Sequence, residues 1–179
     1  MWERVLPVIL LVAVVVGAGL FLYLGHNGPP RPSEFPPIDK LQVYGTIPEG
    51  WSVTDLDGKE VSAGELRGKV LFINRWATWC PPCMAEMPSI QALYQSLLGA
   101  NIAFVIVTRE KPDKVQQTVA KNGWSMPIYL ATERFPPVLE AEVIPVTFIA
   151  DRKGRVVYRK EGSRDWNTDD VREFLRKIP

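Results

Sequence analysis

Two cysteines, Cys80 and Cys83, stand two residues apart at a junction where a strand-like run gives way to a helix-like run. The run leading in is Val70-Leu71-Phe72-Ile73-Asn74; the run leading out extends from Pro81 to about Leu98. This junction constrains the chain more than any other feature. It places Cys80 at a helix N-terminus, where unpaired backbone N–H groups and the helix dipole stabilise a thiolate. Pro81 and Pro82 are compatible with the first helical turn and stiffen the spacing of the two thiols. A Cys-x-x-Cys pair in that setting has a thiol pKa of ~3.5–7.5, so the pair reads first as a redox-active dithiol.

Three other readings of the pair compete. A structural zinc site needs four ligands, usually Cys or His, and the one histidine, His26, lies in a proline-rich stretch far away in sequence. A purely structural disulfide closing so short a loop constrains the unfolded chain little. Two inert buried thiols are the third. Composition narrows the rest. The formal net charge is +1 and no long run carries one sign, which gives no footing for nucleic acid. Two cysteines are too few for a disulfide scaffold, and a third for an internal relay is absent, so electrons must come from another molecule.

The chain divides into three parts. Residues 1–24 end in an uncharged run, Val5 to Leu24, whose twenty residues span ~30 Å as a helix, the thickness of a bilayer core. Trp2 and Tyr23 stand near its ends as interfacial aromatics do. The run is longer than the ~7–15 apolar residues of a cleaved signal peptide, so an uncleaved transmembrane anchor is expected, and Arg4 favours a cytoplasmic N-terminus. Residues 25–37 hold five prolines and read as an extended linker. Residues 38–179, about 140 in all, suffice for one domain with a real core.

Within that domain, Trp51 to Thr54 and Glu60 to Ser62 flank the turn Asp55-Leu56-Asp57-Gly58-Lys59 as a hairpin. Ile102 to Val107 is a continuous apolar strand, expected parallel to the one at 69–74. Asp113 to Asn122 reads as a helix stopped by Gly123, Pro127 to Ala131 as a short strand, and Pro137 to Glu142 as a helical turn or two. Val146 to Ala150 and Arg155 to Arg159 form a second hairpin, and Thr168 can cap a last helix, Asp169 to Lys177. The fold class is α/β, a central mixed sheet flanked by helices.

Gly68-Lys69-Val70, Asn74, the run Trp76-Ala77-Thr78-Trp79-Cys80-Pro81-Pro82-Cys83, Glu86-Met87-Pro88 and Ile144-Pro145 resemble the TlpA/ResA-like (CcmG/DsbE-like) membrane-anchored thioredoxin proteins of bacterial envelopes. The resemblance covers about residues 45–179 and implies a thioredoxin-like fold with an N-terminal β-hairpin extension. Cys80, at the helix start, is the expected attacking thiolate, and Cys83 the resolving thiol that releases the reduced partner. Glu86 falls on the face of Cys83, three residues on, and can exchange that thiol's proton if burial raises its pKa. The resemblance implies an active-site acid there, and Asn74 replaces the buried aspartate of ordinary thioredoxins. Only ~5–6% of X–Pro bonds are cis, so residues alone favour a trans Ile144–Pro145 bond. The resemblance implies cis, facing Cys80, with Ile144 offering its backbone to an extended substrate. Trp79, Pro81 and Pro82 are further candidates for the substrate face, whereas Trp76 and Pro88 read as structural. Arg75, inside a core strand, requires a partner or an exit to solvent.

By resemblance the expected activity is thiol:disulfide oxidoreduction outside the bacterial cytoplasmic membrane, most simply reduction of disulfides in exported proteins. Apocytochrome c is the specific substrate this implies, with a membrane electron donor of the DsbD/CcdA kind. No cofactor beyond the Cys80–Cys83 disulfide and no metal is expected. The alternatives are an envelope disulfide oxidant or isomerase and, outside enzymes, a copper chaperone, whose third ligand would usually be a histidine that the domain lacks.

Overall fold

The computed structural model describes residues 14–19 and 34–179, which fall in two separate units, residues 1–33 and 34–179. Residues 14–19 are helical. The remainder of the expected anchor and residues 25–33 of the expected linker lie outside the described residues. Among the described residues no helix is long and apolar enough to cross a membrane.

The larger unit is built on one mixed sheet of eight strands: β1 (Gly45–Thr46), β2 (Ser52–Asp55), β3 (Glu60–Ser62), β4 (Val70–Arg75), β5 (Ile102–Thr108), β6 (Ile128–Leu130), β7 (Val146–Ala150) and β8 (Arg155–Glu161). Three helices accompany it: α1 (Pro81–Ser96), α2 (Pro112–Asn122) and α3 (Asp169–Lys177). The strand order is β1-β8-β7-β4-β5-β6-β2-β3, parallel for β4/β5 and β5/β6 and antiparallel elsewhere.

Period-two alternation explains why both faces of the central strands are dry. In β4, Val70 and Phe72 join one apolar cluster while Leu71 and Ile73 join another. In β5, Phe104 and Ile106 face the first cluster, and Val105 and Val107 the second. All three helices feed the first cluster, through Met87, Ile90 and Leu93 of α1, Val115 of α2, and Val171, Phe174 and Leu175 of α3. The second is closed by residues from loops and turns, among them Ile47, Trp51, Phe135 and Leu139. The expected helical segment near Pro137 is a single 3-10 turn, Pro137–Leu139.

Local signals set most boundaries. Gly123 ends α2 at φ 64°, in the left-handed region that glycine enters without penalty. α1 stops at Ser96, two residues short of expectation. Thr168 occupies the N-cap of α3, but its hydroxyl accepts no hydrogen bond from the helix backbone and donates to the Asp170 carboxylate.

The folded unit begins earlier than the composition suggested. Phe35, inside the proline-rich stretch, is buried and stacks on Phe174 at 4.3 Å between ring centroids. Glu34 beside it pairs with Lys160 at 2.6 Å and Arg164 at 2.9 Å. Prolines forbid a helix or ladder there, but they do not prevent one large aromatic from burying its surface. Phe35→Ala is therefore expected to lower the stability of the domain by about 3 kcal/mol. Urea denaturation followed by tryptophan fluorescence measures this, and a loss under 1 kcal/mol would show that the segment rests on the surface only.

Candidate active site

β4 ends at Arg75, and the chain turns through Trp76 to Trp79 into α1. Trp76 N still donates to the Val107 carbonyl at 3.1 Å, and Cys80 N donates to Ala77 O at 3.2 Å. Cys80 then occupies the N-cap of α1 with extended backbone, as the strand–helix junction predicted. Its Sγ accepts a hydrogen bond from Cys83 N at 3.3 Å. The sulfur thus sits where a Ser or Asp oxygen would cap an ordinary helix, a position that favours negative charge.

The two sulfurs are bonded, with Sγ–Sγ 2.06 Å. Cys80 is 4% exposed and Cys83 0%, so Cys80 is the more accessible of two buried sulfurs. Exposed Trp79, Pro81 and Pro82 surround it, Trp79 at 67%. The Ile144–Pro145 peptide is cis, and the Ile144 carbonyl oxygen lies 3.8 Å from Cys80 Sγ. The bond that residues alone favoured as trans is set by tertiary context.

Glu86, one turn past Cys83, is 2% exposed. Its Oε1 accepts from Asn74 Nδ2 at 2.8 Å, and its Oε2 accepts from Trp166 Nε1 at 2.9 Å and Arg164 N at 3.3 Å. Burial pushes the carboxyl pKa up, and these three bonds oppose it without cancelling it. Asn74 Nδ2 also donates to Thr147 Oγ1 at 2.9 Å across the β4/β7 pairing, while its Oδ1 has no partner. A fully buried amide with an idle acceptor beside a raised carboxyl can answer either protonation state: turned over, its Oδ1 would accept from a Glu86 O–H.

Trp76 is buried and packs edge-on against Trp124 at 5.7 Å. Pro88 lies on the exposed side of an otherwise continuous α1. Arg75 has its partners: Nη1 donates to Leu139 O at 2.8 Å, Glu140 lies 3.6 Å away, and the guanidinium lies 4.0 Å from the Phe135 ring centroid.

Several residues at the site were not singled out from the sequence. Trp166 and Arg164 reach Glu86 from 80 and 78 positions away, and the hint was a lone tryptophan in a polar stretch. Glu110 accepts from the backbone N–H and, at 2.7 Å, the hydroxyl of Thr78, pinning the loop that carries Trp79 and Cys80. Burial works against that carboxylate's charge, but bonds from Lys114 and Thr78 hold its pKa below the usual range. Among the described residues no three His, Cys, Asp or Glu side chains cluster as a metal ion would need.

Comparison with known proteins agrees with this geometry. The Redoxin family matches residues 42–177. The thiol-disulfide oxidoreductase ResA of Halalkalibacterium halodurans is 33% identical over 128 residues, 69% of this chain and 70% of that protein. The ResA of Bacillus thuringiensis is 28% identical over 179 residues, 98% of this chain and 97% of that protein. A solved thiol:disulfide interchange protein of the thioredoxin family, from Chlorobium tepidum, superposes with a TM-score of 0.63 at 27% identity, over 73% of this chain and 97% of that one. With a buried, bonded Cys80–Cys83 pair capping α1 and a cis-proline against it, the chain belongs to the redoxin family as a thiol-disulfide oxidoreductase of the TlpA/ResA-like, thioredoxin-fold group.

Proposed function

We propose that this oxidoreductase works as a reductant, tethered to the outer face of the bacterial cytoplasmic membrane by residues 1–24 and acting on disulfides of exported proteins. The observation that carries the direction is that the ionisable side chain buried one turn beyond Cys83 is a carboxylate, Glu86. A neighbouring cation would stabilise the thiolate and make the disulfide oxidising, whereas a carboxylate disfavours thiolate and favours the disulfide product. The uncharged run Val5 to Leu24 supports the tether, and the alignment with the Bacillus thuringiensis protein extends across it, covering 98% of this chain.

The Cys80 thiolate attacks one sulfur of the substrate disulfide, forming a mixed disulfide and expelling the other sulfur as a thiolate. Glu86, as carboxylate, takes the Cys83 proton, directly or through a water. The Cys83 thiolate then attacks Cys80 Sγ, breaking the intermolecular bond. Substrate leaves with both sulfurs reduced, and two electrons have passed from the dithiol to it. Asn74 turns over to accept the new Glu86 O–H. A membrane dithiol donor of the DsbD/CcdA kind restores the pair. Trp79, Pro81, Pro82 and the Ile144 backbone beside Pro145 form the substrate face, and the family resemblance points to apocytochrome c as substrate. Replacement of Cys83 by alanine should trap exported proteins as mixed disulfides on Cys80, and replacement of Cys80 should trap none. Diagonal electrophoresis of envelope fractions reads this, and trapping on Cys83 instead would overturn the assignment.

The raised Glu86 pKa gives a pH signature in the oxidised protein. Because the protonated form is favoured on folding, the stability it contributes is complete below the unfolded value of 4.5 and is lost as pH rises through the folded value. Glu86→Gln does not titrate. It should gain on the parent protein by about 1.4 kcal/mol for each unit by which burial raises the pKa, with the gain developing above pH 4.5 in urea denaturation. A pH-independent difference would show that folding leaves the Glu86 pKa unshifted.

A further inference from the structure

A cleft of about 250 Å³ opens beside the disulfide, lined by Trp79, Ile144, Ala77, Val107, Phe135 and Arg109 among others. Pockets for whole small-molecule ligands run to ~300–1,000 Å³, so this one is on the scale of a single side chain. Two of its lining residues adjoin the reactive sulfur: Trp79 precedes Cys80, and the Ile144 carbonyl lies 3.8 Å from Cys80 Sγ. An extended polypeptide advances ~3.3 Å per residue, so a neighbour of the attacked cysteine falls over this cleft.

Its polar groups divide sharply by how far they are already engaged. Glu110 is held by Thr78 and Lys114. Arg75 is buried and bound to Leu139 O and Glu140. Arg109 is different: its side chain is 48% exposed and reaches Glu140 only at 3.9 Å, and its guanidinium lies 4.6 Å from the Phe135 ring centroid. The cleft therefore offers apolar and aromatic walls with one available guanidinium at the rim. A planar π face satisfies both, by burying apolar area and by stacking on the cation.

We infer that this cleft is a specificity subsite for an aromatic side chain next to the cysteine that Cys80 attacks. The inference rests on the reading above that polypeptide disulfides are the substrates. Arg109 supplies the stacking cation, Phe135 holds it flat, and Glu140 between Arg75 and Arg109 fixes the pair of guanidiniums. None of these residues takes part in the exchange of sulfur–sulfur bonds.

The test uses the reduced protein and short peptides closed by one disulfide, with Phe, Leu, Glu or Gly next to either cysteine. Second-order rate constants come from the change in tryptophan fluorescence as the Cys80–Cys83 disulfide forms. Phe next to one of the cysteines should react about tenfold faster than Gly, and at least threefold faster than Leu or Glu. In Arg109→Ala the Phe-to-Gly ratio should fall below three; a ratio cancels any loss shared by all substrates. Phe135→Leu should lower it too, and Arg109 stays the deciding variant if that change in the core fails to fold. Equal rates for Phe, Leu and Gly would overturn the subsite, and a preference for Glu lost in Arg109→Ala would replace it with a carboxylate site. If every peptide disulfide is inert, the reading of polypeptide substrates fails and the subsite fails with it.

Discussion

A carboxylate taken out of water costs several kcal/mol unless donors surround it, and that requirement ties together the elements around Glu86. Glu86 projects from the second turn of α1, Asn74 comes from β4, and Arg164 and Trp166 come from the loop between β8 and α3. The same loop is tied to the start of the folded unit, because Arg164 pairs with Glu34 and its guanidinium lies over Phe35. The three donors are enough to keep a buried carboxyl in the fold and too few to return its pKa to normal. A group held between its two protonation states is suited to moving a proton.

The dithiol is governed by a second, opposing effect. The N-cap position of Cys80, with Cys83 N donating to its sulfur, favours a thiolate and so a reactive nucleophile. Burial and the nearby carboxyl disfavour charge on either sulfur. In the reading proposed above, reactivity and reducing direction are thus set by different groups, the first by backbone geometry at the helix start and the second by Glu86. Glu110, by fixing Thr78, keeps the loop between β4 and α1 in the shape that both effects require.

What could be read from the sequence follows the range of the interaction. The β2/β3 hairpin, the apolar β4 and β5, the stop at Gly123 and the N-cap position of Cys80 all depend on residues within a few positions of each other. Partners that meet only through the sheet did not announce themselves. Nothing near Glu86 points to Trp166, nothing near Arg75 points to Phe135 or Glu140, and the prolines around Phe35 masked its burial. The cis Ile144–Pro145 bond came from the family resemblance, since the local residues favour trans. β1 and β6 owe their places to pairing with β8, β5 and β2, which short segments do not specify by themselves.

The central claim, that the Cys80–Cys83 pair is reducing because a carboxylate is buried one turn beyond Cys83, is tested most directly by its reduction potential. The domain beginning ahead of Glu34, so that Phe35 is kept, would be equilibrated against dithiothreitol or glutathione and its free thiols counted. The account predicts a potential near thioredoxin's ~−270 mV or lower, and a value near the ~−120 mV of DsbA would contradict it and make the protein an oxidant.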